Sequence, residues 1–293
     1  MNARAFRLKP ALAVITALLA TLAAGCAASS LDLWQGAVVK SGPRGFVPVD
    51  FPAGNYHLAG LLKSEGGHEL VAYIEGDGRA IVNGRPSSDP TPRTPQALDL
   101  ALQDPAPNVL YLARIGQYMP AYATEANRPL WSDRRLSPEA VAAASEALDQ
   151  AKKRTGALFL HLVGYSGGGG LAVLLAERRG DVVSLVTVAG LLDTEWWVAT
   201  RGYRPLIGSL NPADSLTGIL NVPQLHFYGT DDKVIPPEMS RVFASKGAFT
   251  RLARLPVQSD HYKAWTAAWR ELLEKYVLPL RQGAGAPAGG ADL

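Results

Sequence analysis

Residues 157–179 constrain the fold of this chain most, because a strand pattern, a sharp turn and a helix pattern follow one another without a linker. Ala157 to Val163 is an apolar run of strand length. Gly164-Tyr165-Ser166-Gly167-Gly168 comes next. The apolar, helix-forming segment Leu171 to Leu175 then predicts a helix from Gly167 to about Arg179. A strand that turns directly into a helix is the unit from which parallel sheets are built. The segment therefore predicts an α/β protein.

The same alternation continues on both sides of this segment. Further strands are predicted at 46–51, 56–63, 69–75, 108–114, 182–188, 224–229 and 249–255, with helices beginning near Thr94, Ser137, Pro236 and His261. This order predicts a mostly parallel central sheet with helices on both faces and an antiparallel hairpin at one edge. Two irregular insertions, 115–136 and 190–221, should lie over the C-terminal ends of the strands, where such sheets bind ligands.

The N-terminus has the pattern of a signal peptide. Arg4, Arg7 and Lys9 precede an apolar run, Ala11 to Ala20, that is too short to span a bilayer. Small residues then lead to Cys26, the only cysteine of the chain. This arrangement resembles a bacterial lipoprotein signal, although Ala23 stands where such signals usually carry Leu. The alternative is an ordinary secretory signal with a coincidental cysteine.

These patterns divide the chain into a signal peptide (1–25), a tether (26–44) that begins with lipid-attached Cys26, a folded domain (45–280) and a disordered tail (281–293). The lipoprotein resemblance implies attachment to a membrane of the bacterial cell envelope. Ala27 replaces the Asp that usually signals inner-membrane retention, so the outer membrane is favoured. A single cysteine excludes an intramolecular disulfide.

The charge balance argues against nucleic-acid binding. The chain has 29 basic and 26 acidic residues, but three of the basic residues and none of the acidic ones precede Cys26. The chain from Cys26 onward is therefore near neutral, and the apparent basicity belongs to the signal. There is also no zinc-binding motif, no phosphate-binding loop and no dinucleotide-binding loop after the first strand, so we expect no metal and no cofactor.

The turn after the 157–163 strand has the G-x-S-x-G pattern of a nucleophile elbow. In such an elbow the serine stands at a strained strand-to-helix turn above the sheet, and the helix N-terminus favours developing negative charge. Ser166 is therefore the candidate nucleophile, and Gly164 and Gly168 allow the backbones to approach closely. The alternative is a glycine-rich turn without chemistry.

A serine hydroxyl needs a base, and a base needs an orienting acid. His261 lies between the last predicted strand and helix, whereas His161 and His226 lie within apolar strands and are expected in the core. Asp232 follows a strand in Gly229-Thr230-Asp231-Asp232-Lys233-Val234-Ile235-Pro236. We predict a Ser166–His261–Asp232 triad, with Asp231 and Asp193 as rival acids.

These motifs together resemble the α/β-hydrolase superfamily, over roughly residues 46–280. The string Val71-Ala72-Tyr73-Ile74-Glu75-Gly76-Asp77-Gly78 resembles the Y-I-E-G-D-G motif of a poorly characterised set of bacterial α/β-hydrolases, many of them lipoproteins. By its position the resemblance implies an oxyanion hole formed by the N–H groups of Gly167 and of Asp77 or Gly76. A plain glycine turn is the alternative. Where that set carries Arg-Pro-Cys-Gln, this chain reads Arg114-Ile115-Gly116-Gln117, so it lacks any loop disulfide of those relatives.

Aromatic residues of the two insertions are candidates for a substrate pocket, with simple packing of the loops as the alternative; they are Tyr118, Tyr122, Trp131, Trp196 and Trp197. The resemblance implies a serine esterase that hydrolyses a small or lipid-like ester through an acyl-enzyme. An amide or thioester hydrolase or an acyltransferase would use the same residues. A non-catalytic envelope lipoprotein is the third possibility, because a fold does not fix a function. Nothing in the sequence indicates the oligomeric state.

Overall fold

An eight-stranded sheet runs through the molecule in the computed structural model, which describes residues 28–283. Its strands are β1 (Val47–Ala53), β2 (Tyr56–Ser64), β3 (Glu69–Ile74), β6 (Asn108–Leu112), β7 (Phe159–Tyr165), β8 (Val182–Val188), β9 (Gln224–Gly229) and β10 (Leu252–Val257), while β4 (Ile81–Val82) and β5 (Arg85–Pro86) form a separate small hairpin. The order across the sheet is β1-β2-β6-β3-β7-β8-β9-β10. Strand β2 pairs antiparallel with β1 and β6, and all other neighbours pair in parallel.

Helices connect the parallel strands and cover the sheet. They are α1 (Ser30–Ser41), α2 (Gln96–Ala101), α3 (Pro138–Thr155), α4 (Gly167–Arg178), α5 (Thr194–Arg201), α6 (Glu238–Ala244), α7 (Trp265–Leu272) and α8 (Leu278–Arg281), with a π-helical turn at Leu273–Val277 and short 3₁₀ turns at Gly42–Arg44, Arg128–Trp131 and Thr217–Ile219. Ser137 caps α3 as its sequence predicts, since its side chain accepts a hydrogen bond from the N–H of Ala140. Of the described helices, none is long and apolar enough to cross a membrane.

The core lies on both faces of the sheet. In β3, for example, Leu70, Ala72 and Ile74 belong to one apolar cluster, while Val71 and Tyr73 belong to the other. Because both faces are covered, the central strands are continuous apolar runs rather than alternating ones. The predicted mostly parallel sheet with helices on both faces is confirmed.

The structure differs from the sequence-based boundaries at both ends of the domain. Within the predicted tether, Ser29 and Asp32 form a capping box that starts α1, and Lys40 of this helix pairs with Asp99. Within the predicted tail, Arg281 ends α8 and forms a buried bidentate ion pair with Asp104 at 2.7 and 3.0 Å. The packed domain therefore takes in residues on either side of 45–280. The signal peptide, Cys26 and residues 284–293 lie outside the described residues.

Candidate active site

The turn between β7 and α4 has the geometry of a nucleophile elbow. Ser166 has φ 53° and ψ −121°, a conformation that non-glycine residues rarely adopt. A Cβ atom on Gly164 would lie 2.3 Å from the carbonyl oxygen of Gly168, and one on Gly168 would lie 2.3 Å from that of Ile74. Both positions therefore require glycine, and the strain at Ser166 is maintained by the packing around it.

Ser166, His261 and Asp232 form a continuous hydrogen-bonded chain. The Oγ of Ser166 lies 2.9 Å from Nε2 of His261, and Nδ1 of His261 lies 2.7 Å from Oδ2 of Asp232. All three residues are buried, with Ser166 the most exposed at 9%. The arrangement places a base beside the hydroxyl and an acid behind the base, which is what an activated serine needs.

The other carboxylate oxygen of Asp232 is fixed by the backbone. Its Oδ1 accepts hydrogen bonds from the N–H groups of Val234 and Ile235, both at 2.8 Å.

Neither rival acid reaches the imidazole ring of His261. Asp231 is exposed and accepts a hydrogen bond from Gln258, while Asp193 caps α5 and pairs with Lys246 at 2.6 Å.

The backbone of His261 is held by two aromatic side chains. Its carbonyl oxygen accepts hydrogen bonds from the hydroxyl of Tyr165 at 2.7 Å and from Nε1 of Trp265 at 3.1 Å. The ring of Tyr262 meets the imidazole edge-on with centroids 4.9 Å apart, yet this tyrosine is 62% exposed. Tyr262 therefore lies at the mouth of the site.

The loop after β3 lies against the elbow, as its motif predicts. A Cβ atom on Gly76 would lie 3.2 Å from Cβ of Ser166, and one on Gly167 would lie 2.1 Å from Oδ1 of Asp77. The N–H of Gly76 donates to Oε1 of Glu75 at 2.9 Å, which disfavours it as the second oxyanion donor that the sequence allows. The N–H of Asp77 and that of Gly167, the first residue of α4, are the remaining candidates.

The profile of the serine hydrolase (FSH1) family matches residues 121–262, a range that contains all three residues of the hydrogen-bonded chain. The chain is a serine hydrolase with the α/β-hydrolase fold. No curated protein sequence matches it.

Solved structures support the fold of the hydrolase. Est1E from Butyrivibrio proteoclasticus is 13% identical with a TM-score of 0.57, covering 80% of this chain and 99% of its own. A bacterial membrane phospholipase A is 15% identical with a TM-score of 0.52, covering 94% and 99%. Puromycin hydrolase is 17% identical with a TM-score of 0.60, covering 84% of this chain but only 40% of its own. At these identities the likeness shows the fold.

The five aromatic residues predicted for a pocket all have packing partners. Tyr118 packs against Trp34 of α1, Tyr122 stacks on His57 of β2, and Trp196 packs against the core. Nε1 of Trp131 donates to the carbonyl of Ser87, and Nε1 of Trp197 donates to that of Val234. These contacts agree with the alternative in which the aromatics pack the insertions onto the domain.

Two acidic residues of the loop after β3 differ in charge state. Burial raises the pKa of Glu75 to about 7, although the N–H groups of Gly76 and Ala97 and the hydroxyl of Tyr111 lower it. Burial also raises the pKa of Asp77, but Arg135 and Arg114 outweigh this effect and hold it below its usual value. Asp77 is therefore a carboxylate at neutral pH, whereas Glu75 is largely protonated below pH 7.

Sequence reasoning missed several residues around the site. The motif of residues 71–78 contains Glu75, and the string Arg114-Ile115-Gly116-Gln117 contains two more of them, but neither string assigned these side chains a role. Two tyrosines, Tyr165 and Tyr262, stand next to the predicted Ser166 and His261. Arg135 had no signal in the sequence, because it comes from an irregular insertion.

The two strand histidines are buried as predicted: His161 forms a hydrogen bond with Ser184 at 2.7 Å, and His226 forms one with Thr187 at 2.8 Å. Among residues 28–283, no cluster of His, Cys, Asp or Glu could hold a metal ion.

Proposed function

We propose that this protein hydrolyses carboxylic esters through an acyl-enzyme on Ser166. The observation that carries the proposal is a pair of hydrogen bonds at a strained elbow. Oγ of Ser166 lies 2.9 Å from Nε2 of His261, and Nδ1 of His261 lies 2.7 Å from Oδ2 of Asp232. Together these features make the hydroxyl a nucleophile.

In the first half-reaction, Nε2 of His261 takes the serine proton as Oγ attacks the ester carbonyl carbon. The N–H groups of Gly167 and Asp77 donate to the resulting oxyanion. Collapse of this intermediate expels the alcohol, which receives the proton from His261. In the second half-reaction His261 removes a proton from water as the water oxygen attacks the acyl carbon. The bond from that carbon to Oγ then breaks, Oγ takes the proton back from His261, and the acid leaves.

The choice of an ester rests on solved structures with the same fold and on the exposed tyrosine at the entrance of the active site. Est1E has been solved with ferulic acid bound, and an esterase from Pyrococcus furiosus shares the fold at 11% identity and a TM-score of 0.53. Exposed Tyr262 beside His261 offers an aromatic surface to an apolar or aromatic group. Esters of aromatic acids such as ferulate, or lipid-like esters, are the proposed substrates.

A second candidate is amide or thioester hydrolysis, or acyl transfer, with the same residues. Puromycin hydrolase and an acylaminoacyl peptidase from Pyrococcus horikoshii are both among the neighbours and favour it. The third candidate, a non-catalytic envelope lipoprotein, is disfavoured by an intact hydrogen-bonded chain that such a protein would not need.

A substrate panel separates these candidates. We expect turnover of p-nitrophenyl esters and methyl ferulate, with a rate that depends on acyl-chain length, and far slower turnover of p-nitroanilides with the same acyl groups. Faster hydrolysis of the anilides or of matched thioesters would reassign the substrate class. Absence of both turnover and fluorophosphonate labelling would favour the non-catalytic lipoprotein.

We also propose that the protein is lipid-anchored through Cys26 in the bacterial cell envelope, with the outer membrane favoured. This rests on the basic start, the short apolar run and the position of the only cysteine, together with the likeness of residues 71–78 to the motif of bacterial lipoprotein hydrolases. Diacylation plus N-acylation would bind a membrane far more strongly than one acyl chain.

The variant Cys26→Ser tests this anchor. Without the thiol, diacylglycerol cannot be attached, so we expect the precursor to remain uncleaved by the lipoprotein peptidase. The parent should incorporate radiolabelled palmitate and sediment with membranes, whereas the variant should not incorporate it. Processing and release of the variant in the same way as the parent would overturn the anchor and favour the ordinary secretory signal.

A further inference from the structure

Residues 76–78, called here the oxyanion loop, are held by three side chains from two other parts of the chain. Nε2 of Gln117 donates to the carbonyl oxygen of Gly76 at 2.9 Å. Nη1 of Arg114 lies 3.3 Å from Oδ1 of Asp77, and Nη1 of Arg135 lies 2.6 Å from its Oδ2. The two arginines and Gln117 are all buried. The loop therefore has its peptide carbonyl and its carboxylate fixed at the same time.

The holding groups are themselves fixed to one another. Oε1 of Gln117 accepts the N–H of Arg114 at 3.0 Å, and Arg114 also donates to the carbonyl of Arg135. Arg135 donates through Nε to the carbonyl of Ser132. Rotation of any one of these side chains would therefore break its hydrogen bonds to the others. A buried network whose polar groups all have hydrogen-bond partners is rigid.

The network acts on the loop that carries the N–H of Asp77. With the N–H of Gly76 taken by Glu75, that of Asp77 is the candidate to complete the hole with Gly167. An oxyanion-hole donor is effective only if it is aimed beforehand at the developing charge. Two guanidinium groups facing one carboxylate also leave the cluster with a net positive charge beside the hole.

We propose that Arg114, Gln117 and Arg135 are positioning residues for the oxyanion loop, which aim the N–H of Asp77 at the tetrahedral intermediate. This rests on the proposed hydrolysis at Ser166. It also gives the insertion 115–136 a role, because Arg135 at its end reaches Asp77 across 58 positions of sequence.

The test compares Arg135→Lys and Gln117→Met with the parent protein. Lysine keeps the charge of Arg135 but lacks the fork that spans Asp77 and Ser132, and methionine keeps the approximate shape of Gln117 without its hydrogen bonds. We expect kcat on the best p-nitrophenyl ester to fall by about 10- to 100-fold in each variant, with KM changed much less, because a donor displaced by a fraction of an ångström loses its value mainly in the transition state.

A transition-state analogue gives the readout that a merely structural role would not change. A trifluoromethyl ketone forms a hemiketal oxyanion on Ser166, so its affinity should fall by the same factor as kcat/KM. Arg281→Lys is the matched control, because it disturbs a buried arginine–carboxylate pair with Asp104. That control should lower the melting temperature while kcat per folded molecule stays near the parent value.

The outcomes separate this proposal from the proposed function. If the parent hydrolyses esters and labels at Ser166 but both variants keep kcat and inhibitor affinity, the positioning role is wrong and the triad stands. A rise in KM without a fall in kcat would likewise rule out the positioning role and leave the triad in place. If one variant does not fold, the other decides alone, and if the parent itself neither labels nor turns over, the proposed function has failed first.

Discussion

Ser166→Ala is expected to abolish hydrolysis and fluorophosphonate labelling while the fold is retained. Without the hydroxyl there is no atom to form the acyl-enzyme, and loss of a catalytic serine costs about 10⁶-fold in kcat in a comparable triad. Alanine keeps the Cβ and the backbone of the elbow, so the free energy of unfolding should change by about 1 kcal/mol or less. The measurements are steady-state rates on the best ester, probe labelling and thermal unfolding.

Ser184→Ala is the matched control for this experiment. Ser184 is also a buried serine that hydrogen-bonds a histidine, with its Oγ 2.7 Å from Nδ1 of His161, but it lies within strand β8 and not at an elbow. Its replacement should leave labelling and kcat close to those of the parent. Undiminished turnover in folded Ser166→Ala protein would rule out the covalent mechanism.

Asp232→Asn is expected to lower kcat by about 10⁴-fold, as the same change does in another triad. The structure supplies a specific reason. The N–H groups of Val234 and Ile235 would hold the amide oxygen of the asparagine, because they now donate to Oδ1 of Asp232. The amide NH₂ would then face Nδ1 of His261 and require it to accept, which places the ring proton on Nε2. A protonated Nε2 cannot take the proton of Ser166.

The neighbouring acids provide the comparison. Asp231→Asn and Asp193→Asn should keep kcat near the parent value, since one side chain is exposed and the other caps α5. Asp193→Asn should lower stability, because it removes the charge that pairs with Lys246, although asparagine can still cap the helix. If Asp231→Asn or Asp193→Asn were the variant that loses activity, the acid would have to be reassigned.

The sequence by itself determined the elbow and the fold around it. A strand, a turn with glycine at positions 164 and 168, and a helix are each specified by neighbouring residues, so the chemistry of the turn is visible in a short string. The alternation of strands and helices then fixed a mostly parallel sheet, because parallel neighbours need crossover connections. The choice of Asp232 over Asp231 came from the resemblance to the superfamily, in which the acid stands three residues after a glycine and precedes a hydrophobic pair and a proline.

Only the tertiary structure decided which side chains surround the elbow. Asp77, Arg114 and Arg135 meet although they are separated by tens of residues, and nothing periodic or local marks such a contact. The same is true of the packing of α1 against the domain, within the predicted tether, and of the contacts that the aromatic residues of the insertions make. The hydrogen bond from the N–H of Gly76 to Glu75, which makes Asp77 the proposed oxyanion donor, is likewise visible only in the folded structure. Local sterics and periodicity can be read from neighbouring residues, whereas long-range side-chain contacts exist only after the chain has folded.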